Sequence, residues 1–174
     1  SPIGSTDLVT DLNRLKDDLL YEKVMENAIT VVRNQKDILP LRHLDTKKIA
    51  YVEMGDPTDN SAYLEELRKY TKVHHIKATR LDELITKLQN YNTVIVGFHK
   101  SNDNPWKPYQ FSDKDMVWLY EIARTNTVIL DVFARPYAML DLKTTANFEG
   151  IIMSYQNSKI AQQLSAQLIF GARD

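Results

Sequence analysis

The sequence contains no cysteine, and this absence removes several kinds of chemistry at once. Disulfide bonds, thiol nucleophiles and cysteine-based zinc sites are all excluded. Glycine is also scarce, with five residues in 174. These glycines form neither the repeated pattern of a dinucleotide-binding loop nor the Gly-Lys-Ser/Thr of a P-loop. No serine lies in a Gly-x-Ser-x-Gly elbow, so the chemistry of that serine nucleophile is disfavoured.

Long apolar runs and an excess of charge of one sign are missing too. The apolar runs are too short to cross a bilayer, and the N-terminus shows neither the basic region nor the apolar core of a signal peptide. With 22 basic and 23 acidic residues, the formal net charge is −1. We therefore expect neither nucleic acid nor a membrane as a partner. Because the chain starts with Ser-Pro-Ile-Gly-Ser, we expect residues 1–5 to be a remnant of processing or engineering.

The size and the balance of residues fit one compact domain. The chain has 43% hydrophobic and 26% charged residues, which is typical of a globular protein. We divide it into a lead-in over 1–45 and an α/β unit over 46–174. The lead-in begins with a predicted helix that is capped by Asp7, continues to about Val32 and stops at Asn34. An extended stretch follows, because the residue before Pro40 avoids helical geometry.

From residue 48 onward, strand and helix patterns alternate with short connections. Apolar segments predict five strands: 49–54, 73–76, 93–97, 127–133 and 150–153. The segments between them carry apolar residues at helical spacing. Capping residues predict three helix starts: Thr79 with Asp82, Ser112 with Asp115, and Asn157. Gly171 is predicted to end the last helix.

This alternation predicts an α/β fold, a three-layer α/β/α sandwich around a mostly parallel sheet of five to six strands. Strands that are apolar throughout are typical of a sheet covered by helices on both faces. Right-handed crossovers leave few possible topologies. We expect a flavodoxin-like order, with the second strand outside the first, followed by the third, fourth and fifth.

One irregular segment, 98–111, follows the third predicted strand. In sheets of this kind, ligands or partners bind at the carboxyl ends of the strands. We therefore predict that five residues at this end contact a ligand or a neighbouring domain: His99, Lys100, Asp103, Trp106 and Arg135. The aromatic residues of the segment can stack on a sugar ring or press on another domain. The alternative is that they pack on the domain's own helices.

Two groups of ionisable residues are candidates for catalysis or metal binding. Asp131 lies inside an apolar strand and needs either partners or a raised pKa. A paired structural carboxylate is the favoured interpretation, and a catalytic role is the alternative. His74 and His75 are adjacent on a strand and point to opposite faces, so they cannot bind one metal together. We predict no metal, no cofactor and no catalytic residue within this chain.

Three phrases of the sequence carry a resemblance to a known family. Residues 28–34 read Ala-Ile-Thr-Val-Val-Arg-Asn and lead to Ile-Leu-Pro-Leu at 38–41. The strand at 128–133 leads to Arg-Pro-Tyr at 135–137, and the last helix closes at Leu-Ile-Phe-Gly over 168–171. Together these phrases resemble the C-terminal α/β domain of glycoside hydrolase family 3. The resemblance covers nearly the whole chain from about residue 20.

The resemblance implies an accessory domain whose parent is a glycosidase. In that family a separate barrel supplies the nucleophile, so the implied partner is an N-terminal catalytic barrel, with carbohydrate as a further candidate. In the β-glucosidase branch the α/β domain lends a glutamate from the loop after its third strand. The loop here, 98–111, holds no glutamate, which favours the β-N-acetylhexosaminidase-like branch, of the Bacteroidetes type. The isolated chain is expected to be inactive, and its parent to be periplasmic or secreted. Because the chain stops where family members continue, we expect it to be a truncated piece.

Two other interpretations stay open. The first is a free-standing, flavodoxin-like module that binds a small ligand with the loops at Gly55, His99 and Arg135. A chromophore that co-purifies, or a ligand-induced shift in melting temperature, would favour it. The second is an interaction domain that uses its N-terminal amphipathic helix. That interpretation predicts dimers whose population rises with concentration.

Overall fold

A computed structural model describes residues 29–101, 111–134 and 147–172, and within these residues it contains six strands and four α-helices. The strands are β1 (Thr30–Asn34), β2 (Ile49–Gly55), β3 (Val73–His75), β4 (Thr93–His99), β5 (Thr127–Phe133) and β6 (Gly150–Met153). The helices are α1 (Ser61–Leu67), α2 (Leu81–Leu88), α3 (Asp113–Thr125) and α4 (Lys159–Ile169). Short 3₁₀ turns follow β1 at Gln35–Asp37 and precede β2 at Leu44–Thr46.

All six strands form one mixed sheet in the order β1-β6-β5-β4-β2-β3. The pairs from β3 to β6 are parallel, and their register places Ile49 beside Thr93 and Thr93 beside Thr127. Strand β1 alone is antiparallel and pairs with β6 at the sheet edge. The fold is therefore α/β with a mostly parallel sheet, as predicted, plus an antiparallel edge strand that was not.

The edge strand β1 corrects the predicted helix that was to continue to Val32. Residues 30–34 are extended and pair with β6, with Thr30 opposite Met153 and Asn34 opposite Gly150. Thr30, Val31 and Val32 are three β-branched residues in a row, which pack well on a pleated strand and are restricted in a helix. The earlier part of that predicted helix, residues 7–28, lies outside the described residues.

Side chains alternate between two apolar cores, one on each face of the sheet, because successive strand residues point in opposite directions. Helices α1 and α4 cover the first face, whose core includes Tyr51, Tyr63, Leu67, Ile95, Ile129, Phe133 and Ile169. Helices α2 and α3 cover the second face, whose core includes Val52, Leu84, Leu88, Val96, Leu119, Ile122 and Leu130. The result is a three-layer arrangement in which the central strands are buried on both sides.

Gly171 follows the end of α4 with a φ of +76°, as predicted for a residue that ends a helix, whereas the three predicted helix starts agree with the structure in one case and differ in two. Ser112 caps α3, and its side chain accepts a hydrogen bond from the backbone N–H of Asp115. Helix α2 begins after Arg80 without a side-chain cap, so the predicted pair Thr79 and Asp82 does not cap it. Helix α4 is capped by Ser158 and not by Asn157, whose side chain is held elsewhere.

None of the helices within 29–101, 111–134 and 147–172 has the length and apolarity that a bilayer crossing needs.

Candidate functional site

The structure places two of the five predicted contact residues. His99 ends β4 and Lys100 follows it, at the carboxyl edge of the parallel strands. Asp103, Trp106 and Arg135 lie outside the described residues. His99 is fully buried, whereas Lys100 is half-buried. Of these two predicted contact residues, His99 therefore lies in the interior and Lys100 lies at the surface.

Asp56 fastens the chain where it leaves β4. Its carboxylate accepts hydrogen bonds from the backbone N–H of Ser101 at 2.8 Å and from Nζ of Lys100 at 3.3 Å. Its own N–H donates to the carbonyl oxygen of His99 at 2.7 Å. This close approach requires glycine at position 55, where φ is +93° and a Cβ atom would lie 2.1 Å from that oxygen. The carboxyl ends of β2 and β4 are thus tied together.

His99 is held between an aromatic ring and two polar groups. Its ring stacks on Phe133 with centroids 4.5 Å apart. Nδ1 lies 2.8 Å from Oδ1 of Asn157, and Nε2 lies 3.1 Å from the hydroxyl of Tyr51. Burial lowers the pKa of His99 to about 4, against smaller upward effects of Asn157 and Glu53. The imidazole is therefore neutral at neutral pH.

A neutral His99 determines the direction of its hydrogen bonds. Nδ1 faces an amide oxygen, so Nδ1 carries the proton and donates it. Nε2 must then accept a hydrogen bond from the hydroxyl of Tyr51. That hydroxyl also lies 3.1 Å from Oε1 of the exposed Glu53, but it has a single proton to donate. The same hydroxyl is also within donating distance of Glu53, so Nε2 of His99 and Oε1 of Glu53 compete for its hydrogen bond.

Gly97 leaves the space that this polar pair occupies. A Cβ atom at Gly97 would lie 2.7 Å from Nε2 of His99 and 2.8 Å from the hydroxyl of Tyr51. Real Cβ atoms essentially never come this close to another heavy atom. A glycine in the middle of a buried strand often marks such a close approach.

Asn157 connects His99 to the loop before α1 and to α4. Its Nδ2 donates to Oγ1 of Thr58 at 2.9 Å and to Oδ1 of Asn60 at 3.2 Å. Its Oδ1 also accepts from Nε2 of Gln162 at 2.9 Å. Sequence reasoning interpreted Asn157 as a helix cap and missed this role. The sequence held one indication of this role: the next residue, Ser158, can cap the helix, which leaves Asn157 available for other hydrogen bonds.

Asp131 lies beneath the same face of the sheet and is fully buried. Three hydroxyl groups donate to its carboxylate: Tyr63 at 2.9 Å, Ser154 at 3.0 Å, and Ser165. Burial raises the pKa of Asp131 to about 7, and the three hydroxyl donors oppose that rise. The group is a paired carboxylate in the interior of the protein, the environment that the favoured interpretation of the sequence requires.

The acidic residues nearest in register do not form a reactive pair. Glu53, Gly97 and Asp131 are neighbours across β2, β4 and β5, so the two acids stand two strand spacings apart. Glycoside hydrolysis needs two carboxyl groups that both reach one substrate bond. Glu53 is exposed, but Asp131 is closed off from solvent by its hydroxyl partners. The geometry supports a structural role for Asp131.

The adjacent histidines take separate partners, as their alternation on β3 predicts. Nδ1 of His74 lies 3.0 Å from the hydroxyl of Tyr91, and the ring of His75 lies 5.0 Å from that of Tyr51. Among the residues that the structure describes, no group of three or more histidines and acids could hold a metal ion.

Comparisons with known proteins give a consistent set of solved structures. No protein-family model and no curated protein matches this sequence. A fungal multi-domain family 3 β-N-acetylglucosaminidase superposes with a TM-score of 0.70 at 20% identity, covering 88% of this chain and 17% of that one. A family 3 β-N-acetylglucosaminidase from Paenibacillus superposes with a TM-score of 0.65 at 14% identity, covering 88% of this chain and 30% of that one. A family 3 exo-β-xylosidase gives a TM-score of 0.69 at 14% identity, covering 91% of this chain and 24% of that one.

These similarities cover most of this chain but less than a third of each neighbour. The chain spans 17%, 30% and 24% of the length of the three solved structures. At such low identity the superpositions show the fold alone. This chain therefore has the fold of one domain found within larger proteins of glycoside hydrolase family 3.

Proposed function

We propose that this chain is the C-terminal α/β domain of a family 3 glycoside hydrolase and that it packs beside a catalytic barrel in its parent. One observation carries the proposal: the chain superposes over 88% of its length on only 17% of a family 3 enzyme. The phrases at 28–34, 38–41 and 168–171, which resemble this domain of the family, support the same conclusion.

A finer assignment is the β-N-acetylhexosaminidase-like branch. Two of the superposed structures are β-N-acetylglucosaminidases, and the loop over 98–111 holds no glutamate. We also propose that the topology is flavodoxin-like. The order β3-β2-β4-β5-β6 of the parallel strands supports this, since it places the second of them outside the first.

In this proposal the domain acts by shape and not by acid–base chemistry. Asp56 ties the end of β2 to Lys100 and Ser101, which follow β4, and Asn157 ties His99 to α4. These bonds hold the last described residues before 102, and we propose that the segment that follows them contacts a neighbouring domain or sugar. Lys100, Asp103, Trp106 and Arg135 are the proposed contact residues on that surface. His99 is buried, and it positions the loop from below.

The first experiment measures hydrolysis by the purified chain of chromogenic N-acetylglucosaminides, xylosides and glucosides. We expect no turnover above that of buffer, because in the proposed family a separate barrel supplies the nucleophile, and Asp131 of this domain is closed off from solvent by its hydroxyl partners. A full-length family 3 β-N-acetylglucosaminidase serves as the positive control. Turnover that the Asp131→Asn variant abolishes would place the chemistry in this chain and overturn the proposal.

The second experiment determines the complete coding sequence of the parent protein. We expect a segment that encodes a catalytic barrel directly upstream of this domain. A complete reading frame without such a segment would contradict the proposed partner, whatever the result of the activity assay.

A further inference from the structure

Strand β2 continues beyond the point where its neighbour β3 stops pairing with it. The register of the two strands ends at Tyr51 and His75, and the N–H of Ile76 then donates to the carbonyl oxygen of Tyr51 at 2.9 Å. Strand β2 runs on to Gly55 and stays paired with β4 over this length. Among the described residues, 52–55 therefore have a strand on one side only.

Glu53 directs its backbone groups to the open side. In a ladder, the N–H and C=O groups of successive residues point to opposite neighbours. The carbonyl oxygen of Tyr51 bonds on the side of β3, whereas the N–H of Asp56 bonds on the side of β4, to His99. Glu53, two residues after Tyr51, therefore faces the side of β3. It is exposed, and within the described residues its N–H and carbonyl oxygen have no backbone partner there.

An apolar cavity of about 230 Å³ lies on one face of this open edge. Its accessible walls are Ile76 and Ala78, from the chain that leaves β3, and Trp118 of α3, all of which are half-buried. Its floor is formed by Val52 and Leu84, which belong to the core beneath α2 and α3. An apolar side chain of a partner would be removed from water there, which favours binding.

A second cavity, of about 290 Å³, lies on the opposite face of the same edge and is acidic. Glu53 and His75 line both cavities, and Asp59 lines the second. Neither acid forms an ion pair with a described residue. Burial, followed by the charge of Lys77, lowers the pKa of His75, so its ring is neutral at neutral pH. The acidic cavity therefore lacks a bound cation of its own.

The alternation of side chains along an extended strand matches the two cavities. A strand paired with Glu53 places the side chain opposite Glu53 on the face of that residue, and its neighbours on the other face. The side chain of Glu53 is on the face of Tyr51, whose hydroxyl lies 3.1 Å from Oε1. Val52 belongs to the other core. One side chain of the added strand thus meets the acidic cavity, and the next meets the apolar one.

A partner of one chemistry uses all three features of this edge. An ion or a single small molecule can occupy one cavity, but it leaves the backbone groups of Glu53 unpaired. An acidic segment would be repelled by Glu53 and Asp59, which are both exposed. An extended segment with basic and apolar side chains in alternation pairs with the backbone, neutralises the acids and fills the apolar cavity.

We propose that the open edge of β2 at Glu53 binds an extended peptide segment of a partner protein, with a basic side chain opposite Glu53 and an apolar side chain next to it. The segment pairs with the N–H and carbonyl oxygen of Glu53, as in β-strand addition. Its basic side chain reaches Glu53 and Asp59, and its apolar side chain contacts Trp118. The surface lies wholly within this chain, so it does not depend on a catalytic barrel or on the proposed family.

The test is a titration of the isotope-labelled chain with a short synthetic peptide in which leucine and lysine alternate, followed in NMR spectra. A segment with a few hydrogen bonds and one buried side chain supports an affinity of about 1 mM or better. We expect saturable amide shifts at residues 52–55 and 75–78. Hydrogen exchange at the amide of Glu53 should slow about fivefold or more near saturation, because that N–H becomes hydrogen-bonded.

Two control peptides separate backbone pairing from charge. The same peptide methylated on the backbone nitrogen of each lysine cannot donate to the carbonyl oxygen of Glu53, and we expect it to bind about fivefold more weakly or worse. A peptide in which glutamate replaces each lysine places like charges beside Glu53 and Asp59. We expect it to produce no shifts at residues 52–55.

Two pairs of variants identify the surface. Trp118→Ala removes a wall of the apolar cavity and is expected to weaken binding about fivefold or more, whereas Val117→Ala, an exposed neighbour that lines neither cavity, should not change it. Glu53→Gln removes a charge and keeps the backbone, and should weaken binding about twofold to fivefold. Glu65→Gln, on the exposed face of α1 and outside both cavities, is its control.

Four results would overturn the inference. The first is the absence of saturable shifts, and the second is a set of shifts at β1, the other edge of the sheet, in place of 52–55. The third is equal binding of the methylated peptide or of the glutamate peptide. The fourth is concentration-dependent association of the chain alone that protects Glu53, which would make a second copy the partner. None of these results bears on the parent enzyme, which the activity assay and the coding sequence test separately.

Discussion

At the scale of single residues, the site depends on two glycines as much as on its polar side chains. Gly55 and Gly97 both occupy positions where a Cβ atom would strike the partner strand or its side chains. At Gly55 the obstacle is backbone, and at Gly97 it is the hydrogen-bonded pair of Tyr51 and His99. The hydrogen-bonded pair of Tyr51 and His99 therefore depends on a residue that has no side chain.

The first prediction concerns Gly97→Ala. The added methyl group must displace Tyr51 or His99, and we expect a loss of about 2–3 kcal/mol in the free energy of unfolding, as for overpacked cores. Urea denaturation measures the loss. Gly150→Ala is the control, because its Cβ atom would approach side-chain atoms of Ile129 and Leu39 no closer than 3.3 Å. Equal losses in both variants would contradict the interpretation.

Some residues of the site could be predicted from the sequence, whereas their partners could not. Asp131 attracts notice as an acid in an apolar strand, and His99 as a polar residue at a strand end. Their partners Tyr63, Ser165 and Asn157 are ordinary residues on three other segments. They meet only after the helices dock on the sheet, and no periodicity in one segment encodes that meeting.

At the scale of elements, β2, β4, β5 and β6 could be predicted because each is a mostly apolar segment between turn residues, whereas β3 is a short Val-His-His segment with a weaker signal. The edge strand β1 could not be predicted in the same way. It pairs with a single strand, β6, and its residues are mostly exposed. A helical repeat also precedes it in the sequence. A strand whose partner, such as Met153 for Thr30, lies more than a hundred residues further along the chain leaves no local signal beyond its β-branched residues.

The second prediction concerns the turn that follows β1. Nδ2 of Asn34 donates to the carbonyl oxygen of Leu39 at 2.9 Å, and the N–H of Leu39 donates to Oδ1 of Asn34 at 2.8 Å. These bonds direct Leu39 and Leu41 into the core beneath α4. We expect Asn34→Ala to cost about 2 kcal/mol in the free energy of unfolding, since two partly buried hydrogen bonds are lost.

Thermal or urea denaturation tests this prediction against a control on the surface. Asn90→Ala removes an exposed amide with a single long hydrogen bond of 3.4 Å, and it should change stability by less than 0.5 kcal/mol or so. If Asn34→Ala proved as mild as Asn90→Ala, the paired hydrogen bonds would not hold the turn.

At the scale of the whole molecule, two buried groups make the dependence of stability on pH unusual. The pKa of His99 is lowered to about 4, so His99 contributes stability above its unfolded value of 6.5, and that contribution is lost as pH falls towards 4. The pKa of Asp131 is raised from 3.8 to about 7, so its contribution is present at low pH and is lost as pH rises towards 7. Between about pH 4 and pH 6.5, a rise in pH therefore increases the free energy of unfolding through His99 and decreases it through Asp131.

The third prediction follows from removing one of the two titrations. In Asp131→Asn the contribution of the raised Asp131 pKa is absent, so the free energy of unfolding should rise by about 3 kcal/mol more than in the wild type as pH increases from about 4 to 6.5. Urea denaturation across this range measures the rise. Asp113→Asn, an exposed residue of α3, is the control and should keep the wild-type profile. If the free energy of unfolding rose equally with pH in Asp131→Asn and in the wild type, Asp131 would not oppose His99.

The antiparallel pairing of β1 with β6 also sets an order of events during synthesis on the ribosome. Thr30 emerges early, but its partner Met153 emerges near the end of this chain. The parallel strands β2 to β5 can assemble as they appear, whereas the sheet can gain its outer edge only after nearly all of the domain has left the exit tunnel. Closing so long a loop is slow. A nascent domain of this fold therefore holds β1 unpaired until β6 has emerged, which leaves that strand open to a ribosome-associated chaperone for most of the synthesis of the domain.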